Sequence, residues 1–337
     1  MVRKVKWLIA ALVAVMALWS AFWYSASVAA GKVLDRVERR SVEMGRDVSC
    51  ENRTVSGFPF HIEVSCGQAG LEAQDQGIAA DIDAVRSVAL LYKPGLVITE
   101  ADGPLTVKLS PAAGLSGELV GRWKTARSSV SAGLSGLKRA SFVAEEVEVS
   151  ATSRSNLAGL EQVLLKDAQL HLRPNPDAPA DFDVALTVSD VLTTRFGRAL
   201  PAMDMRLQAT ARNVGEALGF DPDMLIRTWL DNGGSLDVAS VSFSSLGFAA
   251  TASGPVTVSE EGLVSGKVRL EISGMENLPD LVTAVAPHYR ENAEQIAATF
   301  KNLSADNANG NVEISLFLRN GIVSAGLLPI GRIPNLF

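Results

Sequence analysis

The chain has 337 residues, a formal net charge of −6 and only two cysteines. That length can bury a sizeable core, either as one elongated domain or as two. The acidic balance and the lack of a polybasic stretch exclude the electrostatic footprint that nucleic-acid recognition leaves. Glycine, alanine, serine and valine are plentiful, and this composition favours β-structure with tight turns.

The first predicted element is a membrane anchor at residues 7–24. The segment reads WLIAALVAVMALWSAFWY, and Ser20 is its only clearly polar side chain. An apolar run of this length can cross a bilayer as a helix. Residues 1–6 contain the basic side chains that precede it, and basic residues are retained on the cytoplasmic side. The rest of the chain is therefore predicted to lie in the periplasm, beyond the inner membrane.

A cleaved signal peptide is the alternative to this anchor. The small residues at 28–30 suit a cleavage site, and a cut after Ala30 would release a periplasmic protein. The apolar run is longer than a signal sequence usually has, and Trp19, Trp23 and Tyr24 cluster at its outer end, where aromatic rings favour the interface. We therefore predict an uncleaved signal-anchor.

Residues 25–47 are predicted to continue the helix as a stalk. Val33, Leu34 and Val37 form an apolar stripe at helical spacing, and charged residues occupy the other face. A stalk that lifts the domain off the membrane is the interpretation we favour. The alternative is a surface that contacts a partner helix.

Cys50 and Cys66 are predicted to form a disulfide, because an isolated pair in an exported domain meets an oxidising compartment. Residues 55–59 supply a turn between two extended runs, so the bridge would close a hairpin. In the chain-entropy model such a bridge stabilises the fold by about 3 kcal/mol. The alternative is a metal or redox pair, but it lacks CxxC spacing and a neighbouring histidine or carboxylate cluster.

Residues 48–337 are predicted to form a β-rich domain, an extended and curved antiparallel sheet with a few helices. Alternation of apolar and polar residues is typical of antiparallel strands with one buried and one solvated face. It occurs at 62–64, 105–109, 147–149, 182–188, 203–211, 268–272 and 312–318. Asn320-Gly321 lies between two apolar runs and predicts a tight hairpin turn. A subdivision of the domain near 213–235 is left open.

Helices are expected at three places in this domain. Asp221-Pro222 favours a helix start, and Gly233 favours its end. Residues 278–286 and 289–303 are predicted to form two further helical segments, separated at a proline. Residues 157–167 fit either a short helix or a strand.

The search for catalytic chemistry gives mostly negative results. His61, His171 and His288 are far apart in sequence and have no metal-ligand spacing. No nucleophile elbow, P-loop or HExxH helix occurs. We therefore expect no catalytic residue, no metal, no cofactor and no enzymatic activity. A hydrolase whose site assembles from distant positions, near His171 or His288, is kept as a third hypothesis.

The motif Gly57-Phe58-Pro59-Phe60 contains more aromatic surface than a turn requires. In one interpretation Phe58 and Phe60 seal one end of the β core beside the disulfide. In the other, Phe58, Pro59 and Phe60 form an apolar lip at the mouth of a lipid-holding groove, since apolar clefts bind apolar ligands.

The anchor, followed by Cys50, the GFPF motif and Cys66, resembles the bacterial envelope proteins grouped as domain of unknown function 2125. The C-terminal end fits as well, with Asn320-Gly321, the run at 326–330 and Pro334. This resemblance covers most of the chain after the anchor. It implies a topology but no activity. More remotely, the layout is similar to AsmA-like proteins, which have an N-terminal anchor and a long β-rich periplasmic part and are linked to envelope homeostasis and phospholipid movement.

These observations predict a non-enzymatic, membrane-anchored envelope protein that offers an apolar groove or face for lipid handling or envelope maintenance. The runner-up is a scaffold or interaction module of an inner-membrane protein complex. The expected partners are the inner-membrane bilayer, a phospholipid or another apolar ligand, and other envelope proteins, with no nucleic acid among them.

Overall fold

The computed structural model describes residues 2–93, 95–114, 116–133, 136–152, 159–214, 222–304, 311–326 and 328–336. Contacts divide the chain into two compact units. Unit 1 comprises residues 1–130 and 149–158, and unit 2 comprises residues 131–148 and 159–337. The subdivision left open near 213–235 falls within unit 2, and residues 215–221 lie outside the described residues, so it stays a prediction.

Helix α1 spans Val2–Glu43 without a break. It includes both the predicted anchor and most of the predicted stalk. The helix is long and apolar enough to cross a membrane. The sequence agrees with an unbroken helix, since residues 3–43 contain no proline and no turn sequence that would end a helix.

Antiparallel strands make up most of the remaining chain. In chain order they are β1 Asp47–Glu51, β2 Thr54–Ser56, β3 His61–Cys66, β4 Gln68–Ala73, β5 Ile78–Leu90, β6 Leu96–Leu109, β7 Gly117–Arg122, β8 Thr125–Gly133, β9 Gly136–Ala151, β10 Leu160–Pro174, β11 Phe182–Arg195, β12 Arg198–Ala199, β13 Met203–Ala211, β14 Ser235–Ser245, β15 Phe248–Val258, β16 Val264–Ser273, β17 Val312–Arg319, β18 Ile322–Ala325 and β19 Leu328–Arg332. The prediction of a mainly antiparallel β protein is confirmed.

Three further α-helices lie in unit 2: α2 Pro222–Asp231, α3 Leu278–Val285 and α4 Arg290–Ser304. The predicted helices are thus present, although Asp221 lies outside the described residues. Short 3₁₀ turns occur at Gln74–Gln76, Pro111–Ala113, Met275–Asn277 and Pro287–Tyr289. The stretch at 157–167, which fitted a helix or a strand, is strand from Leu160 onward.

In unit 1 the sheet is organised around β5. One edge of β5 pairs with β6, and the other pairs first with β4 and then with β3. Strand β1 continues the sheet beyond β4, and β2 continues it beyond β3. Strands β4 and β3 therefore pair with successive stretches of the long strand β5.

In unit 2 consecutive antiparallel pairs run from β10 through β11, β13, β14, β15, β16 and β17 to β18 and β19. Arg319 pairs with Ile322, and Asn320 and Gly321 both have positive φ, +48° and +80°. This is the geometry of a two-residue type I′ hairpin turn, which asparagine and glycine adopt most readily. The predicted tight turn is confirmed.

The core of unit 2 consists of two apolar clusters. In the first, Val256, Val268 and Leu316 are buried in the middle of β15, β16 and β17. In the second, Ile272 and Val312 are buried beneath side chains of the two C-terminal helices, including Leu281 of α3. The helices predicted at 278–303 therefore cover one end of the sheet's apolar face.

A polar cluster lies at the end of β11 and β13 in the same unit. Asp181 is 5% exposed. It accepts a hydrogen bond of 2.8 Å from the Asn213 backbone N–H and one of 2.9 Å from Arg212 Nη1. These two hydrogen bonds hold the pKa of Asp181 below its usual value, and the bond from the Asn213 backbone has the larger effect. Arg212 also pairs with Asp237, so the cluster links three strands.

Candidate functional site

The GFPF motif forms the loop between β2 and β3. Phe58 is 57% exposed and Phe60 is 64% exposed. The loop closes through the His61 N–H, which donates to the Gly57 carbonyl at 3.1 Å. Because both side chains are more than half exposed, the interpretation that they seal the end of the β core is wrong. Of the residues named for an apolar lip, Phe58 and Phe60 are exposed and Pro59 is half-buried.

This loop is bound to the apolar helix. The indole Nε1 of Trp19 donates to the Pro59 carbonyl at 2.9 Å, and that of Trp23 donates to the His61 carbonyl at 2.8 Å. The Trp23 ring also meets Phe58 edge to face, with ring centroids 5.5 Å apart. Edge-to-face pairs of this kind are favoured by the aromatic quadrupole. The outer end of the predicted anchor and the GFPF loop are thus one packed unit.

A second contact with the strands lies closer to the C-terminal end of α1. Arg53, at the start of β2, pairs with Asp35 at 2.7 Å and approaches Glu38 at 3.8 Å. The segment predicted as a stalk, residues 25–47, is helical only as far as Glu43. Strands β1, β2 and β3 pack against the helix, so the domain does not stand clear of it.

Cys50 and Cys66 are joined by a disulfide, with their Cα atoms 5.2 Å apart. Cys50 lies in β1 and Cys66 at the end of β3, so the bridge clamps the base of the segment whose tip is the GFPF loop. The residues that the structure describes contain no group of three or more potential metal ligands. A disulfide of this kind is typical of an oxidising compartment.

One face of the unit 1 sheet is apolar over strands β4, β5 and β6. Three cross-strand rows form it, and register places them side by side: Ala69, Ile82 and Leu105; Leu71, Ala80 and Val107; Ala73, Ile78 and Leu109. Within these rows only Ala73 is buried, Leu71 is 38% exposed, and the others are half-buried. We call these nine residues the apolar face of unit 1.

The reverse side of the same strands is polar. Asp81 pairs with Thr106, and Glu72 lies across Ala79 from Lys108. Farther along β5, toward the GFPF loop, the apolar face ends at an ion-pair cluster. Arg86 and Arg127 both pair with Glu100 there. Their hydrogen bonds lower the pKa of the Glu100 carboxyl, and the bond from Arg86 has the larger effect.

The three histidines lie in different elements: His61 in β3, His171 in β10 and His288 in the 3₁₀ turn Pro287–Tyr289. His171 Nδ1 lies 3.0 Å from Ser141 Oγ, and its Nε2 lies 3.4 Å from the amide oxygen of Gln169. His171 lines a surface cleft of about 560 Å³ together with the charged side chains of Lys138, Arg139, Arg173 and Asp183, so the hydrolase hypothesis stays a prediction. Ser141 does not line this cleft, and an amide occupies the place of an orienting carboxylate. His288 contacts the ring of Tyr289, with the ring centroids 4.2 Å apart and the ring planes tilted by 46°.

The tryptophan contacts are what sequence reasoning missed. Trp19 and Trp23 lie one helical turn apart, so they share a face, but their partners are 40 and 38 residues away. Nothing in the local pattern connects the two segments. The sequence signals available were the aromatic cluster at the end of the anchor and the surplus of aromatic residues in the GFPF loop.

Comparison with known proteins agrees with these features at the level of family. No curated protein and no solved structure is significantly similar to the chain. The family model described as "Uncharacterized protein conserved in bacteria (DUF2125)" matches residues 23–334. This span begins at Trp23, one of the two tryptophans that bind the GFPF loop, and includes both cysteines and the nineteen strands of the described residues. The chain belongs to this family of uncharacterised bacterial proteins, as the pattern of Cys50, GFPF and Cys66 predicted.

Proposed function

We propose that the protein is a non-enzymatic envelope protein whose sheet offers an apolar surface to lipid. In this proposal α1 spans the inner membrane, residues 1–6 lie in the cytoplasm, and both units lie in the periplasm. The remote likeness in layout to AsmA-like proteins points to the same class of role. The disulfide and the basic start of the chain support this orientation.

The observation that carries the proposal is the apolar face of unit 1. It offers nine apolar side chains on adjacent strands, almost all only half-buried, while the reverse side is polar. Large accessible apolar patches mark sites of contact with partners, membranes or apolar ligands. Because the proposed anchor keeps the domain next to a bilayer, the acyl chain of a lipid is the nearest abundant apolar ligand.

Bound lipid can be tested by mass spectrometry of organic extracts from the protein purified in mild detergent. Val107→Asp places a charge on the apolar face, and Lys108→Asp places the same charge on the reverse side of the same strand. We expect lipid to co-purify with the wild type and with Lys108→Asp, and to be lost from Val107→Asp. Absence of lipid from the wild type, or equal retention by both variants, would refute the proposal.

The anchor has its own test. Replacing Leu12 and Val15 with arginine puts two charges at the centre of the apolar run, where each is costly. We expect the variant to be lost from the membrane fraction, and continued tight association would place the anchor elsewhere. The intact mass of the purified protein distinguishes an uncleaved chain from one cut after Ala30.

A second candidate function, a scaffold in a membrane complex, is favoured by the C-terminal edge. Among the described strands β19 pairs only with β18, and its Leu328 and Ile330 are 71% and 59% exposed. Exposed apolar edge strands are templates for strand addition by a partner. A photo-crosslinker at Ile330 should then capture one protein in stoichiometric yield, and capture of lipid alone would count against a scaffold.

A further inference from the structure

The GFPF loop lies beside a second exposed turn. The Leu91 N–H donates to the Phe60 carbonyl at 3.1 Å, which places the turn after β5 next to the loop. Tyr92, the following residue, is 71% exposed. Phe58, Phe60 and Tyr92 therefore project from the same end of unit 1, and we call them the aromatic patch.

The position of this patch along α1 gives its depth. An α-helix rises about 1.5 Å per residue, so Trp19 and Trp23 lie about 18 and 24 Å along the helix from Trp7, where the apolar run begins. The hydrocarbon core of a bilayer is about 30 Å thick. A loop bonded to Trp19 and Trp23 therefore lies about 6 to 12 Å inside the outer boundary of the hydrocarbon.

The loop's backbone is suited to that depth. Irregular backbone is tolerated among lipids only where its polar groups are paired within the protein. The carbonyls of Gly57, Pro59, Phe60 and His61 all accept hydrogen bonds, two of them from the indoles. Pro59 has no N–H to satisfy. The rings of this loop are thus exposed, whereas these four carbonyls are paired within the protein.

We propose that the aromatic patch inserts into the acyl-chain region of the bilayer leaflet through which α1 leaves the membrane. Trp19 and Trp23 position the loop there by binding its carbonyls, so the strands of unit 1 begin in the lipid and not above it. The occupant of this surface is the acyl and glycerol region of membrane lipids. The inference rests on the part of the proposed function that puts α1 in a bilayer, and it does not require lipid on the sheet.

A depth-sensitive fluorophore tests the insertion in the full-length protein. The native cysteines are tied in a disulfide, so a single added cysteine can be labelled selectively with NBD. The protein carries the label at Phe60→Cys and is reconstituted in nanodiscs whose lipids are brominated on the acyl chains. We expect the label to lose most of its fluorescence and to shift to the blue. The label at Lys108→Cys, on the polar side of β6, should keep its fluorescence.

Two further positions separate this inference from the proposed function. Tyr92→Cys reports on the same patch from the other turn, so a misfolded Phe60 variant does not leave the question open. Leu71→Cys reports on the apolar face. Quenching at Phe60 and Tyr92 but not at Leu71 supports insertion and counts against lipid on the sheet. Labels at Phe60 and Tyr92 that behave like the one at Lys108 overturn the insertion, whatever Leu71 shows.

Discussion

The sheets of unit 1 and unit 2 carry the same alternation of apolar and polar residues, but their apolar faces have different surroundings. All the buried apolar residues among those described lie in unit 2, except Ile62 and Ala73. In unit 2, α3 and α4 pack over Ile272 and Val312, whereas the corresponding rows of unit 1 remain half-buried. The comparison teaches that alternation identifies the apolar face of a strand and says nothing about what covers it.

The largest expected effect is on stability, and it is tested by replacing one isoleucine in the sheet of each unit. Ile272→Ala in β16 removes a buried side chain and should lower the free energy of unfolding by about 3 kcal/mol. Ile82→Ala in β5 removes a half-buried one and should cost about 1 kcal/mol, because less area leaves water on folding. Urea denaturation followed by circular dichroism measures both. Equal losses would show that the face of unit 1 is covered after all.

The disulfide sharpens the contrast, because unit 1 has a covalent clamp where unit 2 has a core. The double variant Cys50→Ser, Cys66→Ser opens a loop with a sequence separation of 16 and should lower the stability of unit 1 by about 3 kcal/mol in the chain-entropy model. The single variant Cys50→Ser should in addition leave Cys66 reactive toward a thiol reagent. A melting temperature equal to that of the oxidised wild type would argue against a stabilising bridge.

Acid should affect the polar cluster of unit 2. The pKa of Asp181 in the folded protein lies below its unfolded value, which is about 3.9 for an aspartate. The group therefore adds stability that is fully present above about pH 5 and is lost progressively as the pH falls below the unfolded value. We expect Asp181→Asn to cost about 2 kcal/mol at neutral pH and to flatten the pH dependence of stability between pH 5 and pH 3.

The matched control for this effect is Asp177→Asn, an exposed carboxylate in the same loop. It should leave both the stability and its pH dependence close to those of the wild type. If Asp177→Asn and Asp181→Asn had the same pH profile, the contacts with Asn213 and Arg212 could not be the cause.

The smallest expected effect concerns one hydrogen bond. Trp23→Phe keeps an aromatic ring against Phe58 but removes the donor to the His61 carbonyl, at a cost of about 1 kcal/mol. Hydrogen exchange in the peptide covering 57–66 should become faster. Trp123→Phe removes a similar bond, to the Ala101 carbonyl, elsewhere in unit 1 and should leave that peptide unchanged.

Sequence reasoning anticipated the elements better than their relations. The alternation in β11, β13, β16 and β17, the turn at Asn320-Gly321 and the long α1 follow from local rules of spacing and turn chemistry. Burial does not, because Ile82 and Ile272 have the same local pattern and differ only in what packs on them. The ambiguity at 157–167 has the same origin, since the strand from Leu160 is defined by pairing with β11.

The candidate site was only half predicted. The GFPF motif was singled out for its aromatic content, but local sequence could not distinguish a core seal from a surface lip. That choice depended on two tryptophans about 40 residues away, whose indoles donate hydrogen bonds to carbonyls of the loop segment. A contact between segments that far apart leaves no periodic signal in either of them.

The two indole bonds also determine how α1 is rotated about its own axis. Successive residues of an α-helix turn by about 100°, so Trp19 and Trp23 lie within one narrow sector, and the residues opposite them are Ala10, Ala14, Ala17 and Ala21. All four alanines are exposed. Because the loop is hydrogen-bonded to Trp19 and Trp23, the helix cannot rotate freely about its axis. The side formed by the four small alanines therefore points away from the strands that follow it.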